Sequence, residues 1–147
     1  MTKSKTMTTT KVRESLYDRF KTDQTLEVSG KWLDYGKYGK LRVARAGGAN
    51  TRFSQTLEFK TREYREEIDD GTIDMDLANT LMIETFAESV ILDWEDVIGE
   101  DGKEIPFSSE NVTKLFTDMP DFWANVREKA SSMNTYKNKK VAKDVGN

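Results

Sequence analysis

The chain has no cysteine and no histidine. Without cysteine there is no disulfide and no thiolate zinc site. Without histidine the commonest general base and the commonest transition-metal ligand are missing, so Ser–His and Cys–His nucleophilic systems cannot be built from this chain alone. The chemistry left to it is that of carboxylates, lysine, tyrosine or a magnesium site. No apolar run approaches the roughly 20 residues that cross a bilayer, and the first eleven residues, MTKSKTMTTTK, lack the apolar core of a secretory signal. The expectation is a soluble protein that stays in the compartment where it is made, and the lack of thiols suits a reducing cytoplasm.

Apolar residues make up only 36% of the 147 residues and charged residues 33%, so an ordered middle with polar ends is expected. Aromatic content of 10% argues against disorder throughout. A net charge of −3, with both signs interspersed, gives no general preference for nucleic acid or anionic membrane.

The sequence predicts a flexible arm over 1–11, one domain over 12–130 and a flexible basic tail over 131–147. Val12, Leu16 and Phe20 recur at four-residue spacing and predict a short amphipathic helix. The stretch Leu26–Leu33 and the alternating Lys40–Ala46, separated by a turn with Gly36 and Gly39, predict a β-hairpin. Asn50 is placed to cap a helix running from Thr51 to about Glu67, with Gly71 as the following turn residue. Asp74 caps the longest predicted helix, Met75 to Val97, whose apolar stripe is broad enough for a central position. The acidic turn Glu100–Lys103 follows, then an extended Ile105–Phe107. Ser108 caps a helix near Ser109–Thr117, and Pro120 opens the last helix, with Phe122, Trp123, Val126 and Ala130 inward. These elements define a mainly helical α+β domain, an N-terminal hairpin packed on a bundle of about four helices.

Each candidate for chemistry competes with a plainer explanation. Five residues separate Gly30 from Gly36 and Tyr38 follows Lys37, so the P-loop spacing fails and a hairpin turn accounts for the glycines. Gly47-Gly48 before a helix, with Arg42, Arg45 and Arg52 near in sequence, can cradle an anion, or can simply be a tight strand-to-helix connection. The acidic run Glu66–Asp76 lacks EF-hand order and also suits the N-terminus of the next helix. A second acidic cluster, Asp93–Glu104, would need two carboxylates facing one cleft to act as a hydrolase. Trp32, Trp94 and Trp123 read first as core, with one of them a possible interface anchor.

The element order, with VARAGGANTRF, DDGTID and DWEDVIGEDGKEIPFSSENVTKLFTDMPDFWANVREKA, resembles the tail assembly chaperones of tailed bacteriophages from about Leu26 to Ala130. The residues that carry the resemblance are Arg45, Asn50, Trp94, Asp101-Gly102, Pro106-Phe107, Glu110-Asn111, Leu115 and Pro120. They are packing and turn residues, so what is shared is a fold and not a reaction centre. The resemblance implies a non-enzymatic protein without cofactor or metal. Its partners would be the tape measure protein and tail tube subunits, with homo-oligomers also allowed and neither membrane nor direct nucleic acid expected. Trp123, Phe122, Met119, Arg45 and Arg52, together with the tails, are the candidate partner-binding residues. Two other readings stand beside it: a permanent virion component such as a head–tail connector or minor tail protein, and an acidic inhibitor of a host nucleic-acid-binding system.

Overall fold

A buried carboxylate organises the first third of the molecule. The computed structural model describes residues 13–137. The predicted arm 1–11, Val12 and the tail beyond Lys137 lie outside these residues. Helix α1 (Leu16–Phe20) starts at Ser15, whose hydroxyl accepts from the Asp18 N–H while the Asp18 carboxylate accepts from the Ser15 N–H. This reciprocal cap satisfies two otherwise orphaned donors.

Helix α2 (Gln24–Ser29) replaces the first half of the strand expected over Leu26–Leu33. Asp23 caps it, accepting from the Leu26 N–H at 3.0 Å, and Gly30 ends it at φ 95°. The alternation of Leu26 and Val28 suggested a strand, but Asp23 and Gly30 fix a two-turn helix between them. Only Lys31–Asp34 remains extended, as β1.

Strand β2 (Lys40–Val43) pairs antiparallel with β1, matching Lys31 to Val43 and Asp34 to Lys40. Its alternation works as predicted, with Leu41 and Val43 buried and Lys40 and Arg42 half-buried. Helix α3 (Thr51–Thr61), a single 3-10 turn (Arg62–Tyr64) and α4 (Arg65–Asp70) then run to Gly71, which takes the left-handed conformation and ends α4.

The central helix α5 (Met75–Ser89) is capped by Asp74, which accepts from the Leu77 N–H. It stops eight residues before the predicted Val97. Thr85 and Ser89 donate their hydroxyls back to the carbonyls of Leu81 and Thr85, and the β-branched Val90 and Ile91 follow. Residues Ile91–Glu95 form β3, which pairs antiparallel with β2 through Leu41 opposite Trp94. The hairpin is therefore a three-stranded sheet in the order β1-β2-β3, with β2 in the middle. The expected helix end at Leu92–Trp94 is corrected to a strand, because β2 offers it a ladder that no local pattern reveals.

Helices α6 (Ser109–Asp118) and α7 (Pro120–Ser131) close the fold. Ser108 caps α6 through the Asn111 N–H, and Pro120 holds the first position of α7. Helix α5 packs against α3 and α6, and α6 against α7. The core they enclose centres on Phe86, whose ring meets Trp123 edge-on at 4.7 Å and Phe53 at 5.7 Å. This is a mainly helical α+β architecture, as the sequence predicts.

The folded chain continues past Ala130, the expected domain limit. Met133–Tyr136 makes a 3-10 turn, Tyr136 is fully buried, and its hydroxyl donates to the Val43 carbonyl at 3.1 Å. Its carbonyl accepts from the Asp23 N–H at 2.8 Å. Ser131–Lys137 thus belongs to the domain and not to the tail.

Candidate functional site

The glycine pair and its arginines come together around an anion, and the anion is internal. Glu27 on α2 is 1% exposed. Its Oε2 lies 2.5 Å from Arg45 Nη1, and its Oε1 accepts from the Ala49 N–H at 2.9 Å. A Cβ on Gly48 would stand 2.7 Å from Glu27 Oε1, and Gly48 has φ 55°, so glycine is required on both counts. Burial penalises the charged carboxyl, but hydrogen bonds from Ala49, Thr22 and Arg45, with the Arg45 charge, outweigh it and hold the Glu27 pKa below its ordinary 4.5. The cradle expected before α3 is therefore filled by the protein's own side chain. Arg45, a candidate partner contact, is corrected to a structural residue of this node.

Asn50 belongs to the same region. It makes no side-chain cap on α3. Both amide hydrogens instead reach carbonyls, that of Arg45 at 2.8 Å and that of Ser89 at 3.0 Å. It ties the end of α5 to the loop after β2. Arg52, on the first turn of α3, is exposed.

The remaining partner candidates lie on α7 and at its start. Trp123 is 5% exposed, and its indole N–H donates to Asn79 Oδ1 at 3.1 Å. Its bulk is core, against Phe86 and Phe116. Phe122 is half-buried between Tyr35 and Phe116. The Tyr35 hydroxyl donates to Asn125 Oδ1 at 2.8 Å, and burial pushes its pKa up to about 12. Met119 is 42% exposed. Trp123 and Phe122 therefore serve first as packing residues.

The edge of Trp123 still reaches the surface. It floors a groove of about 580 Å³ between α5 and α7, lined by Asn79, Pro120, Ala124, Arg127, Glu128 and Ser131. The Arg127 guanidinium stands over the indole at 5.6 Å. On the other flank of α5 a second groove of about 550 Å³ is lined by Phe59, Tyr64, Leu77, Leu81 and Thr80, with Lys60 and Glu84 across it. The N-terminal half of α5 is thus a ridge between two grooves, tipped by Met75, which is 77% exposed. Sequence reading marked Trp123 but missed this ridge, because helical periodicity assigns Leu77 to the core without showing where α3 stops covering it.

The acidic runs face solvent. Glu66, Asp69, Asp70, Asp74 and Asp76 are all exposed. Among the described residues, no group of three or more histidine, cysteine or carboxylate side chains is placed to hold a metal ion. Also among them, no helix is long and apolar enough to cross a membrane.

Among the described residues, the geometry presents one buried ion pair, Glu27 with Arg45, and two surface grooves that flank α5. A model of the YdaY prophage protein family matches residues 48–147, 100 of the 147 residues. The chain belongs to this family and is phage-derived. The match runs from Gly48 through both grooves and α7. No curated protein and no solved structure matches the chain.

Proposed function

We propose that this prophage protein is a non-enzymatic tail assembly chaperone. It binds the tape measure protein in the host cytoplasm, keeps that long helical client soluble and helps recruit tail tube subunits. The observation that carries the proposal is the groove floored by Trp123. Small side chains, Ala124 and Ser131, admit a client backbone closely, while the Trp123 edge and Pro120 give it apolar contact. Arg127 and Glu128 at its rim can each meet an opposite charge on a client helix. Such a groove suits an amphipathic helix laid along it. Met119, next to Pro120 in the chain, and Met75, one helical turn before Asn79, are both exposed and add adaptable apolar area. Phage descent and the resemblance along Leu26–Ala130 support the same reading.

The test is co-expression of the tagged chain with the tape measure and tail tube proteins of its own prophage, followed by identification of what is retained. The same tag is then sought in purified virions. Retention of the tape measure protein with absence from virions is expected. Stoichiometric presence in virions would replace the chaperone by a permanent structural component. Retention of neither protein would favour the host-inhibitor reading.

A further inference from the structure

Among the described residues, two sets of hydrogen-bond donors meet at Trp123 without an acceptor. The first belongs to Asn79. The indole N–H can only donate, so the Asn79 atom that meets it at 3.1 Å is the carbonyl oxygen Oδ1. That bond fixes the orientation of the amide. The two N–H groups on Nδ2 are therefore turned away from the indole nitrogen, on a side chain that is exposed and lines the groove. Trp123 is 5% exposed and packs edge-on against Phe86, so the amide is anchored to the core.

The second set belongs to Arg127. Its guanidinium stands over the same indole at 5.6 Å. Attraction to the ring positions the cation but gives it no counter-ion. Among the described residues, neither Asn79 Nδ2 nor the Arg127 guanidinium has a hydrogen-bond or ion-pair partner. Glu128, the carboxylate in the lining, follows Arg127 about 100° further round α7, and the two make no ion pair.

We propose that the Trp123 groove selects its client by a carboxylate, an Asp or Glu on the client helix seated between Asn79 Nδ2 and Arg127. This selection rests on the chaperone reading, which supplies the client helix. An ionised carboxylate only accepts, and it has two oxygens. One takes an N–H from Asn79 while the other meets the guanidinium. Hydrogen bonds to such an acceptor are roughly twice as strong as neutral ones. A lysine at the same point would face only donors and a like charge. The small side chain of Ala124 lets the client backbone come close enough to deliver the acid. Asn79 is on α5 and Arg127 on α7, so the pair exists only where these two helices pack together.

Asn79→Asp is the most direct probe. It keeps an oxygen for the Trp123 N–H, so the urea midpoint should be unchanged, while the donors offered to the client become a negatively charged acceptor. Retention of the tape measure protein by the tagged full chain should fall at least about tenfold in Asn79→Asp and in Arg127→Gln, and less in Glu128→Gln. Overlapping peptides of the tape measure protein then locate the acid. In a bound peptide, replacing one Asp or Glu by Lys should abolish binding to the natural chain and restore it to Arg127→Glu. If the natural chain retains the tape measure protein and stably folded Asn79→Asp and Arg127→Gln retain it undiminished, carboxylate selection is overturned and the chaperone reading stands. A larger loss in Glu128→Gln would also overturn it, because the groove would then be selecting a base. If the natural chain retains no tape measure protein, the chaperone reading falls and carboxylate selection falls with it.

Discussion

The two ends of the described chain invert what their compositions suggest. At the C-terminal end, a polar stretch, SSMNTYK, places Tyr136 in full burial, with its ring in the core and its hydroxyl on Val43. At the N-terminal end of the described residues, the amphipathic pattern Leu16-Tyr17-Phe20 is exposed on the surface. One aromatic with a waiting partner carbonyl outweighs the polarity of its neighbours. Three apolar residues with no facing element gain nothing from their periodicity. Burial is decided by what the rest of the fold presents.

Tyr136→Ala tests the buried end most severely. Emptying a fully buried aromatic site should cost about 3–5 kcal/mol, read as a lowered urea midpoint with unchanged slope. A tail residue would cost nothing. Next comes Glu27→Ala, which leaves Arg45 and the Ala49 N–H without their acceptor at the point where the two ends meet. Removing one partner of a buried ion pair costs about 3–5 kcal/mol, and partial exposure of Arg45 places this case at the lower limit. The same carboxylate predicts the acid response. Its folded pKa is depressed, so its contribution is complete above the ordinary 4.5 and is lost as pH falls below 4.5 through the folded value. Urea titrations at stepped pH should show that loss in the natural protein and a flatter profile in Glu27→Gln.

Asn50→Ala should cost about 1–3 kcal/mol, because the buried Ser89 carbonyl and the half-buried Arg45 carbonyl lose their donor. If Asn50 were only a helix cap, Asn50→Ser would restore stability, whereas the observed bonds to Arg45 and Ser89 predict that it does not. The smallest effect belongs to the exposed end. Leu16→Ser and Phe20→Ser should each shift stability by no more than about 0.5 kcal/mol, read from urea midpoints.

Boundaries set by local chemistry were legible in the sequence. Asp74, Ser108, Pro120 and Gly71 each act where their side chains or backbone freedom predict, and the helical α+β class follows from them. Elements set by distant partners were not. Strand β3 exists because β2 lies ready to pair with Ile91–Glu95, a segment whose apolar pattern continues that of α5. Helix α2 was signalled by Asp23 and Gly30, but the alternation of Leu26 and Val28 masked it. Of the candidate site, Trp123 was marked while its groove was not, since a groove is defined by where neighbouring helices end. Arg45 seemed a free cation because nothing in the local sequence brings Glu27, eighteen residues earlier, onto its guanidinium.

The client-binding account is tested most directly by closing the Trp123 groove. Ala124 is exposed on α7, and Ala124→Arg fills the groove without entering the core. Retention of the tape measure protein by the tagged full chain should fall at least about tenfold in Ala124→Arg, a loss of roughly 1.4 kcal/mol, with the urea midpoint unchanged. Undiminished retention by a stably folded Ala124→Arg would contradict the account.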